Sequence, residues 1–243
     1  MNNIEFLFRY SFMPNKLGYC GPSNISDLIL EYISNKDSSA SERKEFVGEQ
    51  ILNSLSKFEA LGAYLRLIAG KNKLQWFDYR VAEAYWIGNE LLGNVSAKDI
   101  RNLILNEFSK PEFLGSEISA KLAEKVPENV TAHHVFHVFN INSLTKKVPA
   151  VIENLDKCRI SWGEVLRSSR ANTLEISYTP IVLENEKFVF GNETKKQIHN
   201  YFNDKIVQSD VVSFHWDSFC EKLNTKKLEN LKKFTLENLE AIN

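Results

Sequence analysis

The sequence predicts an α+β fold, with a helical N-terminal domain and a small C-terminal β-barrel-like domain closed by a terminal helix. Three observations carry this. Apolar residues recur at helical spacing through most of residues 25–125. From Cys158 onward the pattern changes to short runs rich in β-branched and aromatic residues, separated by turn residues. From Thr225 the helical period returns, with Leu228, Leu231, Phe234, Thr235 and Leu239 on one face. The boundary is placed so that residues 1–145 form the helical domain and 146–243 the barrel-like one.

The elements follow in order. Phe12 to Pro22, FMPNKLGYCGP, holds two prolines, two glycines and an asparagine, so it reads as an ordered loop with Cys20 near its centre. Ser23 or Asn24 caps a helix with Leu28, Ile29 and Ile33 on one face. Phe46, Val47, Ile51, Leu55 and Phe58 mark the next helix, and Leu61, Leu65 and Ile68 another that Gly70 closes. Val81, Ala84, Tyr85, Gly88, Leu91 and Leu92 form one more stripe, ended by Gly93 and Asn94. Ser96 caps a shorter helix bounded by Pro111, and Ser116 to Lys125 reads as a further one stopped by Pro127. Val130 to Ile141, VTAHHVFHVFNI, is β-branched and aromatic and reads as a strand. Asn142 or Ser143 starts a short helix to about Leu155, kinked at Pro149. Cys158 opens the strand CRISWGEVL. TLEISYTPIVL and KFVFG form a hairpin around Glu184, Asn185 and Glu186, and DVVSFHW is a further strand. Asn224 or Thr225 caps the terminal helix.

Composition narrows the function. With 243 residues, 43% hydrophobic and net charge -1, the chain has the apolar content of a folded protein and lacks the charge excess of a disordered one. A balance of 30 basic against 31 acidic residues argues against a nucleic-acid footprint. No apolar run reaches the roughly 18 residues of a membrane helix, and MNNIEFLFRY lacks a secretory pattern. Three cysteines, Cys20, Cys158 and Cys220, cannot all pair, which fits reduced thiols in the cytoplasm. Cys220 reads as core.

His133, His134 and His137 crowd into five residues. On a strand they do not converge: His133 and His137 share a face about 13 Å apart, and His134 points the other way. Such a segment supplies one ligand to a shared site, or two on opposite faces, with hydrogen-bonded strand histidines as the plain alternative. Glu83 and Glu90 share a helix face but lack the E-x-x-H pattern of di-iron bundles. There is no phosphate-binding glycine loop, and nothing marks an oxyanion hole beside Cys158 and His215.

The C-terminal part carries two spaced patterns. Cys158 leads C-x-x-x-x-G-x-V through Gly163 and Val165, and Ser209-Asp210-Val211-Val212-Ser213-Phe214-His215 is an acidic residue followed by a histidine-bearing strand. In their joint order these resemble the HypC/HupF family of hydrogenase assembly chaperones over residues 157–243. That family has a small β-barrel, a C-x-x-x-x-G-x-V opening and a G-D-[YF]-V-x-V-H strand before a C-terminal helix. Ser209 stands where the family has glycine. The whole chain also resembles a larger family with a PN-x-LGYCGP start and a histidine-rich strand, associated with hydrogenase gene neighbourhoods.

The resemblance implies an accessory chaperone that carries iron for a nickel–iron hydrogenase centre. Cys158 would be the thiolate ligand and His215 the imidazole ligand, with a hydrogenase large subunit or a maturation factor as partner. A thiolate and an imidazole suit low-spin iron and leave positions open for release. Two features depart from the family: the cysteine is internal, so no terminal amine serves the site, and the helical extension is foreign to the small chaperones. Cys20, His134 or His137 would complete the site if their segments pack onto the cysteine face. That requires the Cys158 sulfur and the His215 ring to lie within about 8 Å, given ligand distances of about 2.0–2.3 Å. Two alternatives are an independent metalloenzyme on the histidine-rich strand and a metal-free interaction module.

Overall fold

Helices form first along the chain because apolar faces recur there, and strands follow where β-branched residues take over. The computed structural model describes residues 2–23, 25–34, 41–141, 144, 148–169 and 172–243. Asn24, Asn142 and Ser143, all three candidate helix caps, lie outside these residues, as does the 145/146 boundary. Helices α1 (Asn3–Lys16), α2 (Ile25–Ser34), α3 (Ser41–Leu55), α4 (Glu59–Asn72), α5 (Tyr79–Trp86), α6 (Ala97–Leu103), α7 (Ser116–Glu124), α8 (His134–Phe136) and α9 (Ile152–Cys158) precede the sheet. Strands β1 (Ser161–Ser168), β2 (Thr173–Tyr178), β3 (Ile181–Glu184), β4 (Lys187–Phe190), β5 (Thr194–His199), β6 (Val211–His215) and β7 (Ser218–Lys222) follow, and α10 (Thr225–Ile242) ends the chain. The fold is α+β with a terminal helix, and Asn224 caps α10 through the Lys227 N–H.

The main sheet is mostly antiparallel. β1 pairs with both β2 and β6, β2 with β5, and β6 with β7. β5 meets β7 at one parallel pair, His199 and Ser218, so the strand order β1-β2-β5-β7-β6 runs in a ring. β3 and β4 form a separate two-stranded sheet.

Several sequence expectations are corrected here. The Phe12 to Pro22 segment is only half a loop: α1 runs to Lys16 and contains Pro14. Asn2 caps it by accepting from the Glu5 N–H, and every residue from Glu5 to Asn15 is buried, so no polar face betrays the period. The Val130 to Ile141 segment is not a strand. Its centre is α8, continued by a wide π-turn over His137–Ile141. Burial on nearly all sides leaves neither period visible there, and packing overrides β propensity.

Cys158 does not open a strand; it closes α9, and β1 begins at Ser161. The turn at Asn185 and Glu186 is as read, with both φ positive, but TLEISY belongs to the main sheet and only IVLE pairs with KFVF. Pro180 interrupts that run because it cannot donate to a ladder. The stripe expected from Val81 to Leu92 ends at Trp86. Gly88, at φ +93°, turns the chain where an added Cβ would strike the Phe234 ring of α10 at 2.0 Å.

One continuous apolar core joins the helices to the sheet. Buried Arg9 of α1 donates to Asp204 and Glu5, each at 2.6 Å, and to the Cys220 carbonyl at 3.0 Å. The Tyr10 hydroxyl donates to Glu221 at 2.7 Å. Asn238 of α10 accepts from the Thr131 N–H and donates to its hydroxyl. Among the described residues no helix is long and apolar enough to cross a membrane.

Candidate metal centre

Where α1, α4, α5, α8 and α9 meet the end of β6, they leave a small cavity of about 50 Å³. Cys20, His134, His137, Cys158 and His215 all line it. His133 does not: it caps α8 and stacks on Phe234 at 6.0 Å between ring centres. The helical turn, in place of the expected strand, is what turns His134 and His137 to the same side, with ring centres 6.4 Å apart.

The unusual N-terminal segment positions two of these residues. Pro14 has no N–H, so the carbonyl of Tyr10, four residues back, lacks its helical donor. His215 supplies it: Nδ1 lies 2.6 Å from the Tyr10 oxygen. A carbonyl only accepts, so Nδ1 carries the proton and Nε2 the lone pair. Nε2 has no hydrogen-bond partner among the described residues. Asn15, buried, then clamps the turn that follows. Its amide donates to the Cys20 and Pro22 carbonyls at 2.8 and 2.7 Å, and its oxygen accepts from the Ser26 N–H. Gly21, at φ +75°, brings the backbone so close that a Cβ would meet the Phe58 ring at 2.3 Å. Cys20 is thereby held at the cavity wall.

The opposite wall is held differently. His134 Nε2 lies 2.9 Å from the Cys158 carbonyl and Nδ1 3.0 Å from the Tyr85 hydroxyl. The carbonyl fixes the proton on Nε2, so Nδ1 accepts from Tyr85. Tyr85 and Trp86, both on α5, stand edge-on to this ring at 5.2 and 4.7 Å.

Donor atoms of His134, Cys158 and His215 all lie within 4.8 Å of one another, and all three residues are buried. The limit of about 8 Å set from ligand distances is met. Donors around a tetrahedral ion at ordinary ligand distances sit roughly 3.3–3.8 Å apart, so closure onto an ion needs about 1 Å of side-chain movement. Cys20 and His137 line the cavity but stand outside this close trio. Cys220 is core, its sulfur facing the Arg9 and Ser218 carbonyls.

The electrostatics favour neutral donors. Burial pushes His215 down to about 4 and His137 to about 3. His134 falls well below its ordinary value through burial and then the neighbouring His215 and His137. Burial, with Cys20 nearby, raises the Cys158 thiol. The imidazoles therefore keep their lone pairs at neutral pH, and an arriving cation would displace the thiol proton. Two imidazoles and one thiol make a donor set for a borderline or soft metal, with coordination positions left over. His134 would first give up its bond to Tyr85 or to the Cys158 carbonyl.

Sequence reasoning missed Tyr10, Pro14, Tyr85 and Trp86. Only Pro14 carried a signal: a proline inside a helix always orphans a carbonyl four residues back.

Residues 3–243 match a protein family described as a family of unknown function (DUF6390). The chain belongs to that family. No curated protein and no solved structure matches it. The DUF6390 match spans the helical part and the sheet together, and with them every wall of the cavity.

Proposed function

We propose that this DUF6390 protein is an accessory chaperone that holds one iron ion on Cys158 and His215 for assembly of a nickel–iron hydrogenase centre. One observation carries the reading: three buried donor atoms within 4.8 Å, one of them a histidine nitrogen with its tautomer fixed and its lone pair open. Hydrogen bonding at the far ring nitrogen is how proteins orient a ligating histidine. The partner in this reading is a hydrogenase large subunit or maturation factor in the cytoplasm, and the strand ring is the β-barrel of the HypC/HupF resemblance.

Two details support that resemblance. Ser209, at the family's glycine position, has φ +67°, the left-handed region glycine prefers. A Cβ on Gly163 would meet the Ser177 backbone oxygen at 2.7 Å, so the C-x-x-x-x-G spacing answers a close strand approach. The missing terminal amine has a substitute in His134, which the helical part brings to the thiol.

The test is purification without oxygen, metal analysis and infrared spectroscopy in the cyanide and carbonyl region. About one iron per chain is expected in the wild type, and Cys158→Ala and His215→Ala each lose it. Full iron in both variants, or none in the wild type, ends the reading. Metal-free protein that co-purifies with a hydrogenase precursor would point to the interaction module instead.

A second reading, a resident metal centre in an independent metalloenzyme, is favoured by one observation: the third donor, His134, comes from the same chain and is as buried as the others. Iron that stays on the protein when the partner is added would support it.

A further inference from the structure

We infer that the cavity binds a small mono-anion between the metal position and the N-terminus of α4. The metal end of this subsite rests on the metal reading above; the helix end does not. Phe58, Ala60 and Leu61 line the cavity. They form the start of α4, a helix of 14 residues whose N-cap, Phe58, offers no side-chain hydrogen bond. The first-turn amides of a helix have no acceptor within it, and they carry the positive end of its dipole. Here that end lines a partly open cavity whose deeper wall holds the buried histidines.

A second observation is independent of the helix. His215 Nε2 and His137 Nδ1 lack hydrogen-bond partners among the described residues, although both side chains are more than nine-tenths buried. Buried polar atoms rarely go unpaired. The His215 lone pair, on the sheet wall, is the one the metal would take, and His137 Nδ1, on the helical wall, points to a bound polar group. Charge and size then narrow the class. A divalent ion beside one thiolate leaves a net positive charge to be neutralised in a buried place. Glu59, the only carboxylate among the described lining residues, is exposed. About 50 Å³ is room for roughly three or four water-sized atoms. That excludes nucleotides and amino acids and leaves azide-, cyanate- or formate-sized ions.

The experiment loads the full chain with Co(II) without oxygen, follows the cobalt–thiolate absorption, and titrates sodium azide by infrared and visible spectroscopy. Saturable azide binding is expected, with formate competing. Phe58→Asn puts a capping oxygen on the first-turn amides and should weaken azide by roughly tenfold, while Co(II) retention is unchanged. Phe58→Leu removes the same ring without adding a cap, and should stay within about threefold of wild type. Cobalt-loaded protein that ignores azide, or Asn and Leu variants that bind it equally, overturns the inference and leaves the metal reading standing. Protein that takes up no cobalt refutes the metal reading. Azide held by that metal-free protein would then uphold the helix-end subsite, and azide not held would refute it as well.

Discussion

His215 and His134 face each other with ring centres 5.3 Å apart, yet they meet the cavity in opposite conditions. His215, on the sheet wall, spends one nitrogen on the Tyr10 carbonyl and keeps the other open. His134, on the helical wall, spends both, on Tyr85 and on the Cys158 carbonyl. Two histidines of equal burial are thus unequal ligands. What separates them is a backbone accident of each wall: a carbonyl stripped of its donor by Pro14, and a helix end whose last carbonyl needs one.

Removing the prepared ligand should have the greater consequence. His215→Ala should lower metal retention by at least about a hundredfold, and His134→Ala by about tenfold, within the range for lost ligands and their support. Equal losses by metal analysis would show that the walls are equivalent. The next effect is on acid stability, where the buried histidines of the helical part outnumber that of the sheet. His133 and His137 fall to about 3 and His215 to about 4, against an ordinary value of 6.5. Depressed histidines leave stability intact above about 6.5, where both states are neutral. As pH falls below that, the unfolded chain takes up protons that the fold refuses, at about 1.4 kcal/mol per pH unit per histidine. Denaturant unfolding of metal-free protein between pH 7 and 4.5 should show this loss, and His137→Gln should make it shallower by about one proton.

Pro14→Ala sharpens the contrast by moving two observables in opposite directions. The restored N–H bonds the Tyr10 carbonyl, so α1 gains stability, up to about 3 kcal/mol from relieving a helix-interior proline. His215 loses its exclusive acceptor, and metal affinity should fall about tenfold. Unchanged affinity with a higher melting temperature would mean that the Nδ1 bond does not position the ring. The smallest effect belongs to Tyr85→Phe. It releases His134 Nδ1, so affinity should rise about threefold while stability falls by about 1 kcal/mol. A drop in affinity would place Tyr85 among the supports of the ligand.

The same contrast shows in what the sequence revealed. Cys158 and His215 stood out in the sequence through two spaced patterns, and the fold brings them to one cavity with His134. His134 and His137 were visible as residues, but their convergence was not. In a segment buried from Ala132 to Phe139, apolar, aromatic and imidazole side chains leave no period to read, and β propensity misleads. Helix α1 was hidden for a related reason, with buried residues all round and a proline in its last turn. β5, TKKQIH, buries only Ile198, and β7, SFCEK, buries four residues running, so neither shows the alternation that announces a half-buried strand. The terminal helix, with one wet face and one dry, was read nearly to its ends.

The bond between the Tyr10 carbonyl and His215 joins residues 205 apart in the chain. Arg9 reaches Cys220 across a separation of 211. Synthesis proceeds from the N-terminus at roughly 5–20 residues per second, and contacts this distant close late. The walls of the cavity therefore come together only once β6 has been made and has returned to α1. Whatever the cavity holds can enter only after that long closure.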